Sequence, residues 1–115
     1  IEAFAPYIYN IVMENDRYPG YFTEKLTDCF VTGTVPIYWG APDIGDYFDT
    51  NGMIQVNNID EIIRVLRFLH KPENVRTQYM AKLGAMRKNF HKVGFLEIPD
   101  DMLYRKVLSM EKAMV

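Results

Sequence analysis

The sequence predicts an α/β fold in which a small parallel sheet carries flanking helices. Two apolar runs rich in β-forming residues, Tyr9 to Met13 and Val35 to Tyr38, are separated by a stretch whose apolar residues recur at helical spacing. A third run, Met53 to Val56, is followed by further stretches of helical spacing. Because parallel strands are joined by right-handed crossovers, this order predicts adjacent parallel strands with helices between and after them.

The first crossover helix has clear signals at both ends. Pro19-Gly20 predicts a loop after the first strand, and Thr23 is a favourable N-cap residue. Gly33 is a suitable stop, because glycine adopts the left-handed conformation that ends many helices. We therefore predict a helix from Thr23 to Thr32. Cys29 falls on its apolar face, which predicts a small buried side chain rather than a reactive thiol.

The middle of the chain predicts two turns and a second helix. Asp43 to Phe48 predicts a short helical turn, and Asn51-Gly52 predicts a tight turn before the third strand. Asn58, with Glu61 three residues later, resembles a capping box that starts the helix. The apolar face of this helix is expected to comprise Ile59, Ile62, Ile63, Leu66 and Leu69.

The last part of the chain predicts a helical tail. Pro72 ends one helix and opens the next, and Gly94 is a natural terminator. A final helix is expected from Asp100, directly after Pro99. The apolar faces of these two helices are expected to comprise Val75, Tyr79, Leu83, Met86 and Phe90 in the first, and Leu103, Val107 and Met110 in the second.

The length and composition of the chain fit a single domain and argue against one class of binding partner. The 115 residues are 49% hydrophobic, which is enough to form a core, and the net charge is −2. This balance argues against nucleic acid as the main partner. A single cysteine excludes an internal disulfide. No apolar run approaches the ~20 residues that span a bilayer, no signal peptide is evident, and the sequence assigns no cellular location.

Three motifs in the first half of the chain follow one another in a fixed order. They are Met13-Glu14-Asn15-Asp16, then Tyr21-Phe22-Thr23-Glu24-Lys25-Leu26, then Val35-Pro36-Ile37-Tyr38-Trp39-Gly40. Together they resemble the nucleotide-sugar motif of the α1,3-fucosyltransferase family, and the similarity covers roughly the first two thirds of the chain. The resemblance implies the Rossmann-like C-terminal half of a GT-B glycosyltransferase. The chain is then expected to be a fragment, namely most of the nucleotide-sugar-binding domain of a longer enzyme.

The resemblance also implies a donor and the residues that bind it. The donor would be GDP-fucose, and the whole enzyme would transfer fucose to a glycan acceptor with inversion. Lys25 would bind the diphosphate, Glu24 the ribose hydroxyls, and Asn15 and Tyr21 would contact the donor. Independently of the resemblance, Lys25 itself suggests a bound anion. A cation in the first turn of a helix is unfavourable beside the positive end of the helix dipole, and a bound anion would compensate for it.

Other interpretations of these residues remain open. Lys25 is alternatively a solvated lysine, Glu24 a favourable acidic residue in a first helical turn, and Asn15 a turn residue that bonds its own backbone. Tyr21 is alternatively an ordinary surface tyrosine. The whole chain could instead belong to another GT-B enzyme, such as an exostosin-like transferase, or be a non-catalytic α/β interaction module.

No catalytic residue or metal ligand is assigned within this chain. The resemblance places the catalytic base in the other domain, so the isolated chain is expected to be inactive, and Glu14 is expected to orient the loop. Asp43 and Asp46 are expected to be solvated, and no D-x-D motif is present. His70 and His91 have no second ligand nearby. The acceptor glycan would contact the missing domain, and a bare sheet edge is a possible site of self-association.

Overall fold

The computed structural model describes residues 8–94, and these form a three-stranded sheet with helices on both faces. The helices and strands, in chain order, are β1 (Tyr9–Met13), α1 (Glu24–Thr32), β2 (Val35–Trp39), β3 (Ile54–Gln55), α2 (Ile59–Phe68) and α3 (Pro72–Val93). Two short 3-10 turns, Ile44–Asp46 and Thr50–Gly52, connect β2 to β3. The final helix expected from Asp100 lies outside the described residues.

The sheet is parallel, with strand order β1-β2-β3, as the sequence predicts. Tyr9 lies opposite Val35 and Met13 lies opposite Trp39, so β2 runs one residue further than predicted. The third strand is shorter than the predicted run, because the Met53 N–H donates to Thr50 O and closes a turn there. All three strands therefore end near one edge of the sheet.

The crossover helix α1 begins and ends as its sequence signals predict. The Thr23 side chain accepts a hydrogen bond from the Lys25 N–H, which makes Thr23 the N-cap residue. Gly33 adopts the left-handed conformation with φ 72°, and its N–H donates to Cys29 O. These two caps fix the length of the crossover and hence the position of the helix N-terminus beside the end of β1.

Two core clusters lie on opposite faces of the sheet, because neighbouring residues of a strand point to opposite sides. The α1-side core contains Tyr38 of β2, and the α2-side core contains Ile37. Helix α3 belongs to both, since Met86 packs in the α2-side core and Val93 in the α1-side core. The long helix thus joins the two layers at one end of the domain. Its predicted start at Pro72 and end at Gly94 are confirmed.

The buried face of α2 is narrower than the apolar face that the sequence predicts. Ile62 is buried and Leu69, just after the helix, is buried, but Ile59, Ile63 and Leu66 are 60%, 41% and 46% exposed. Successive helical residues are rotated by about 100°, so a narrow contact with the sheet leaves neighbouring apolar residues outside it. The capping box also differs: Asn58 accepts from the Glu61 N–H as predicted, but the Glu61 carboxylate accepts from the Asn57 N–H.

Among residues 8–94, no helix is long and apolar enough to cross a membrane.

Candidate functional site

The carboxyl ends of β1 and β2 and the N-terminus of α1 meet at one edge of the sheet. The β1–α1 loop, residues 14–23, connects the first of these ends to the helix. Carboxyl ends of parallel strands are where open α/β sheets bind ligands, and a helix N-terminus favours anions. This edge is therefore the candidate functional site, and it holds all four residues that the sequence analysis singled out.

Lys25 and Asn15 lie in contact at this edge. The Lys25 Nζ donates to Asn15 Oδ1 at 3.2 Å. This hydrogen bond connects the first turn of α1 to Asn15, which lies two residues after the end of β1. Both side chains are exposed. The Asn15 side chain thus binds Lys25 rather than its own backbone, and the ammonium is directed towards the strand ends.

The helix N-terminus offers fewer free donors than the sequence suggests. The Thr23 N–H donates to Glu14, the Lys25 N–H to Thr23 Oγ1 and the Leu26 N–H to Thr23 O. In the described part of the chain, the Glu24 N–H alone among the first-turn donors has no acceptor. An anion at this point would therefore be bound mainly by the Lys25 ammonium and the Glu24 N–H.

Glu14 is a buried carboxylate that orients the loop, as the sequence analysis expected. Its side chain is 4% exposed, although it is the residue directly after β1. Oε1 accepts from Thr23 Oγ1 at 2.7 Å, and Oε2 accepts from the Thr23 N–H at 2.8 Å and from the Tyr38 hydroxyl at 3.3 Å. Three donors around one carboxylate compensate for its burial.

The Tyr38 hydroxyl connects Glu14 to the end of β2. It donates to Glu14 and accepts from the Ala41 N–H at 3.1 Å. Burial raises the pKa of Tyr38 to about 12, so the hydroxyl remains protonated and able to donate at neutral pH. Gly40 leaves room for this arrangement, since a Cβ there would lie 2.6 Å from Glu14 Cγ and closer still to the Tyr38 hydroxyl. The need for glycine at this position thus arises from the protein's own packing.

Tyr21 and Glu24 lie on either side of the N-cap. The Tyr21 ring stacks on Tyr18 with centroids 4.7 Å apart, and its N–H donates to Tyr18 O. Glu24 is exposed in the first turn of α1, directly before Lys25. The fold thus brings Lys25 and Asn15 into contact and places Tyr21 and Glu24 in the adjoining loop and turn.

Asp43 has a role that the sequence analysis did not expect. It is half-buried, and its Oδ1 accepts from the Gly20 N–H at 2.8 Å. Gly20 has φ 76°, a conformation that favours glycine, so the tip of the β1–α1 loop is held in a defined turn. The expectation of a solvated carboxylate is wrong for Asp43, whereas Asp46 is exposed.

Arg17 is a site residue that the sequence analysis did not single out. Its Nε donates to Gly40 O at 3.2 Å and its Nη2 to Asn57 Oδ1 at 2.7 Å. The guanidinium carbon lies 5.9 Å from the centre of the Trp39 ring. The only local signal is a cation four residues after the end of a predicted strand, because each residue that the Arg17 side chain contacts is at least 22 positions away along the chain.

Cys29 has no part in this site. It is buried in the α1-side core, and its thiol donates to Lys25 O. Burial raises the pKa of the thiol to about 12, so the nucleophilic thiolate is absent at neutral pH. Among residues 8–94, no group of three histidine, cysteine or acidic side chains is arranged to hold a metal ion.

Comparison with known proteins finds one family model and several fucosyltransferases that are similar to this chain. Residues 1–94 match the model of glycosyltransferase family 10 (fucosyltransferase), C-terminal part. The α-(1,3)-fucosyltransferase FucT of Helicobacter pylori is 36% identical over 76 residues, or 64% of this chain and 16% of its own length. A crystal structure of an α1,3-fucosyltransferase is 33% identical with a TM-score of 0.55, covering 71% of this chain and 24% of its own. An α1,3-fucosyltransferase structure with GDP-fucose is 28% identical with a TM-score of 0.53, covering 91% and 31%.

These similarities reach well beyond the three motifs. The family model extends from the first strand to the end of α3, and thus includes the β1–α1 loop and the edge of the sheet described above. The chain spans about one sixth of the length of its Helicobacter pylori relative. On these grounds, the chain belongs to the fucosyltransferases of glycosyltransferase family 10 and corresponds to their C-terminal part.

Proposed function

We propose that this chain is the donor-binding part of an inverting α1,3-fucosyltransferase and that its ligand is GDP-fucose. The observation that carries the proposal is the contact of Lys25 Nζ with Asn15 Oδ1, at the strand ends and beside the N-terminus of α1. A similar solved protein is an α1,3-fucosyltransferase with GDP-fucose, and 91% of this chain aligns with it. On this proposal the chain is one domain, namely most of the nucleotide-sugar-binding half of a two-domain enzyme.

Each of the four candidate residues has a role in this proposal. The Lys25 ammonium and the Glu24 N–H bind the diphosphate, because both belong to the first turn of α1 and helix N-termini favour anions. The Glu24 carboxylate accepts hydrogen bonds from the ribose hydroxyls. Asn15 holds the Lys25 ammonium and contacts the donor, and Tyr21 contacts the donor from the loop. The charge of the diphosphate is then balanced by side-chain and backbone donors, and the proposal includes no metal.

The reaction is a single displacement at the anomeric carbon of the fucose. A hydroxyl oxygen of the glycan acceptor forms a bond to that carbon while the bond from the carbon to the diphosphate oxygen breaks. The acceptor proton passes to a base that the other domain supplies, and GDP leaves with the bonding electrons. Lys25 stabilises the charge that develops on the leaving diphosphate, as positioned cations do in other transition states.

The acceptor and any self-association depend on surfaces away from this site. The glycan acceptor would bind through the other domain, since neither an acceptor site nor a base is assigned in this chain. Strand β1 is an edge strand within the described sheet, and Ile11 and Met13 on it are 43% and 44% exposed. An exposed apolar edge favours pairing with a further strand, either from the rest of the enzyme or from a second copy of the chain.

Calorimetric titration of the complete chain with GDP, GDP-fucose, ADP and UDP tests this function. The proposal predicts binding of both guanine nucleotides with an affinity at least tenfold higher than that for ADP or UDP, and the same affinity in EDTA. Equal affinity for all four nucleotides would overturn the choice of donor. Absence of binding to all four nucleotides would favour a non-catalytic α/β interaction module.

A further inference from the structure

We propose that Arg17 is a positioning residue that holds the β1–α1 loop in the shape that presents Asn15 and Tyr21 to the donor. This inference rests on the proposed function for the identity of the ligand. Arg17 itself is on the loop, and its guanidinium binds Gly40 O and Asn57 Oδ1. It therefore connects the loop after β1 to the end of β2 and to the turn between β3 and α2.

The loop needs such a connection because it has little other support at this point. Residues 15–20 are all exposed, so no buried side chain anchors them. Glu14 fixes the two ends of the loop through Thr23, and Asp43 fixes its tip at Gly20. Arg17 is the anchor between these points. Its Cα lies within about 7.6 Å of that of Asn15, because consecutive Cα atoms are 3.8 Å apart.

The partners of Arg17 are themselves fixed. The Asn57 N–H donates to Glu61 Oε2 at 2.8 Å, at the start of α2. Asn57 O accepts from Trp39 Nε1 at 3.2 Å, which holds the indole beside the guanidinium. The Asp16 carboxylate accepts from the Arg17 N–H at 2.7 Å, which adds a hydrogen bond to the loop backbone at the same residue. The guanidinium thus binds a rigid surface formed by Trp39, Gly40 and Asn57.

The geometry points to positioning rather than to charge alone. The planar guanidinium donates through Nε and Nη2 to two acceptors at once while it lies against an aromatic ring. A lysine ammonium is a point charge on a flexible stem and lacks the planar fork whose two nitrogens bind Gly40 O and Asn57 Oδ1. An exposed cation that acted only through its charge would be replaceable by lysine, whereas a cation that positions the loop would not.

The test uses the complete 115-residue chain with five variants. They are Arg17→Ala, Arg17→Lys, Asn57→Ala, the Arg17→Ala/Asn57→Ala double variant and the control Arg87→Ala. Arg87 is exposed on α3, and its side chain makes no hydrogen bond or ion pair with any residue in the range 8–94. Trp39 is the only tryptophan in the chain, so acrylamide quenching of its fluorescence reports directly on the contact with Arg17. Thermal unfolding verifies that each variant is folded.

The proposal predicts that Arg17→Ala, Arg17→Lys and Asn57→Ala each increase quenching of Trp39 and accelerate amide exchange at Tyr21. It also predicts that GDP affinity falls roughly three- to tenfold in Arg17→Ala and Arg17→Lys, as expected for one or two lost hydrogen bonds. The Arg17→Ala/Asn57→Ala double variant should lose no more affinity than Arg17→Ala alone, because the two residues act through one contact. Arg87→Ala should match the parent chain in every measurement.

Two results would overturn the proposal. Full GDP affinity in Arg17→Lys would assign the effect to charge, and unchanged Trp39 quenching with unchanged Tyr21 exchange in Arg17→Ala would show that the contact does not hold the loop. The quenching and exchange measurements need no ligand. If the parent chain did not bind GDP, the proposed donor would fail on its own, and these two measurements would still decide whether Arg17 positions the loop.

Discussion

The buried carboxylate of Glu14 binds Thr23, the N-cap residue of α1, through both of its oxygens. Oε1 accepts from the Thr23 hydroxyl at 2.7 Å, and Oε2 accepts from the Thr23 N–H at 2.8 Å. This pair joins the end of β1 directly to the start of α1. Asn15 directly follows Glu14, and Lys25 follows Thr23 by two residues. The contact between Glu14 and Thr23 therefore also sets the distance between the candidate donor-binding side chains of Asn15 and Lys25.

Replacing Glu14 by Gln is expected to destabilise the fold. Glutamine has one acceptor oxygen and an NH₂ donor, so one of the donors that now bind the carboxylate would lose its partner in a buried site. The free energy of unfolding should fall by about 1–3 kcal/mol. Urea denaturation measures this change. Glu24→Gln, an exposed control, should change it by less than about 0.5 kcal/mol, and equal stability of the two variants would contradict the role given to Glu14.

Two glycine substitutions are expected to have opposite effects. In Gly40→Ala the new Cβ would contact the Tyr38 hydroxyl and Glu14 Cγ too closely, so the free energy of unfolding should fall by about 1–3 kcal/mol. Gly84 lies within α3, and a Cβ there meets nothing within 4 Å. Gly84→Ala should therefore raise the free energy of unfolding by about 0.5–1 kcal/mol. Thermal denaturation of both variants is the measurement, and a loss of stability in Gly84→Ala, or none in Gly40→Ala, would be inconsistent with this packing.

The buried thiol of Cys29 predicts a loss of stability at alkaline pH. Burial raises its pKa from the ordinary 9.0 to about 12, so the unfolded chain releases this proton at a lower pH than the folded chain. The contribution of Cys29 to stability is therefore intact below about pH 9 and decreases as pH rises towards 12, by up to about 1.4 kcal/mol per pH unit.

Comparison with Cys29→Ala isolates this effect from the other titrating groups. Urea denaturation from about pH 8 to about pH 10.5 should show a steeper fall in the free energy of unfolding for the parent chain than for the variant. The remaining tyrosines and lysines titrate in both chains and cancel in the comparison. Parallel curves for the two chains would show that the thiol is not protected from ionisation in the folded state.

The proposed contact of Glu24 with the ribose predicts a change in nucleotide discrimination. If the carboxylate accepts from the ribose hydroxyls, the parent chain should bind GDP more tightly than 2′-deoxy-GDP. Glu24→Gln should reduce that ratio about three- to tenfold, because the charge-assisted bond becomes a neutral one. Competition titrations with the two nucleotides give the ratio. An unchanged ratio in Glu24→Gln would show that this carboxylate does not bind the ribose.

The sequence predicts the elements of this fold well, because their signals are local. The first two strand runs, the Thr23 cap, the Gly33 stop and the Pro72 start each involve a few adjacent residues, and the structure confirms them. The parallel order follows from the crossover helix. By contrast, the exposed part of the α2 face was mispredicted, because periodicity identifies apolar residues but does not give the width of the surface that they meet.

The contacts that hold the β1–α1 loop in place are harder to predict from the sequence. The motifs identify Asn15 and Lys25, and their contact follows from the strand–loop–helix order. The Arg17 contact with Asn57 joins residues 40 positions apart, and the Asp43 contact with Gly20 joins residues 23 apart. Neither pair has a characteristic spacing, because both depend on how the ends of β2 and β3 approach the loop in three dimensions.

The affinity of the Lys25→Ala variant for GDP tests the central claim most directly. The ammonium is exposed and lies in a helical first turn, where a cation gains nothing from the helix dipole, so its removal should leave the thermal stability of the chain almost unchanged. Lys71→Ala, which removes an exposed lysine from the turn between α2 and α3, is the matched control.

Calorimetric titration should show GDP affinity about ten- to a hundredfold lower in Lys25→Ala than in the parent chain, through the loss of charge-assisted bonds to the diphosphate. The Lys71→Ala chain should bind as the parent does. A Lys25→Ala chain that is folded and binds GDP as tightly as the parent and the Lys71→Ala control would contradict the claim that this edge of the sheet holds the donor diphosphate.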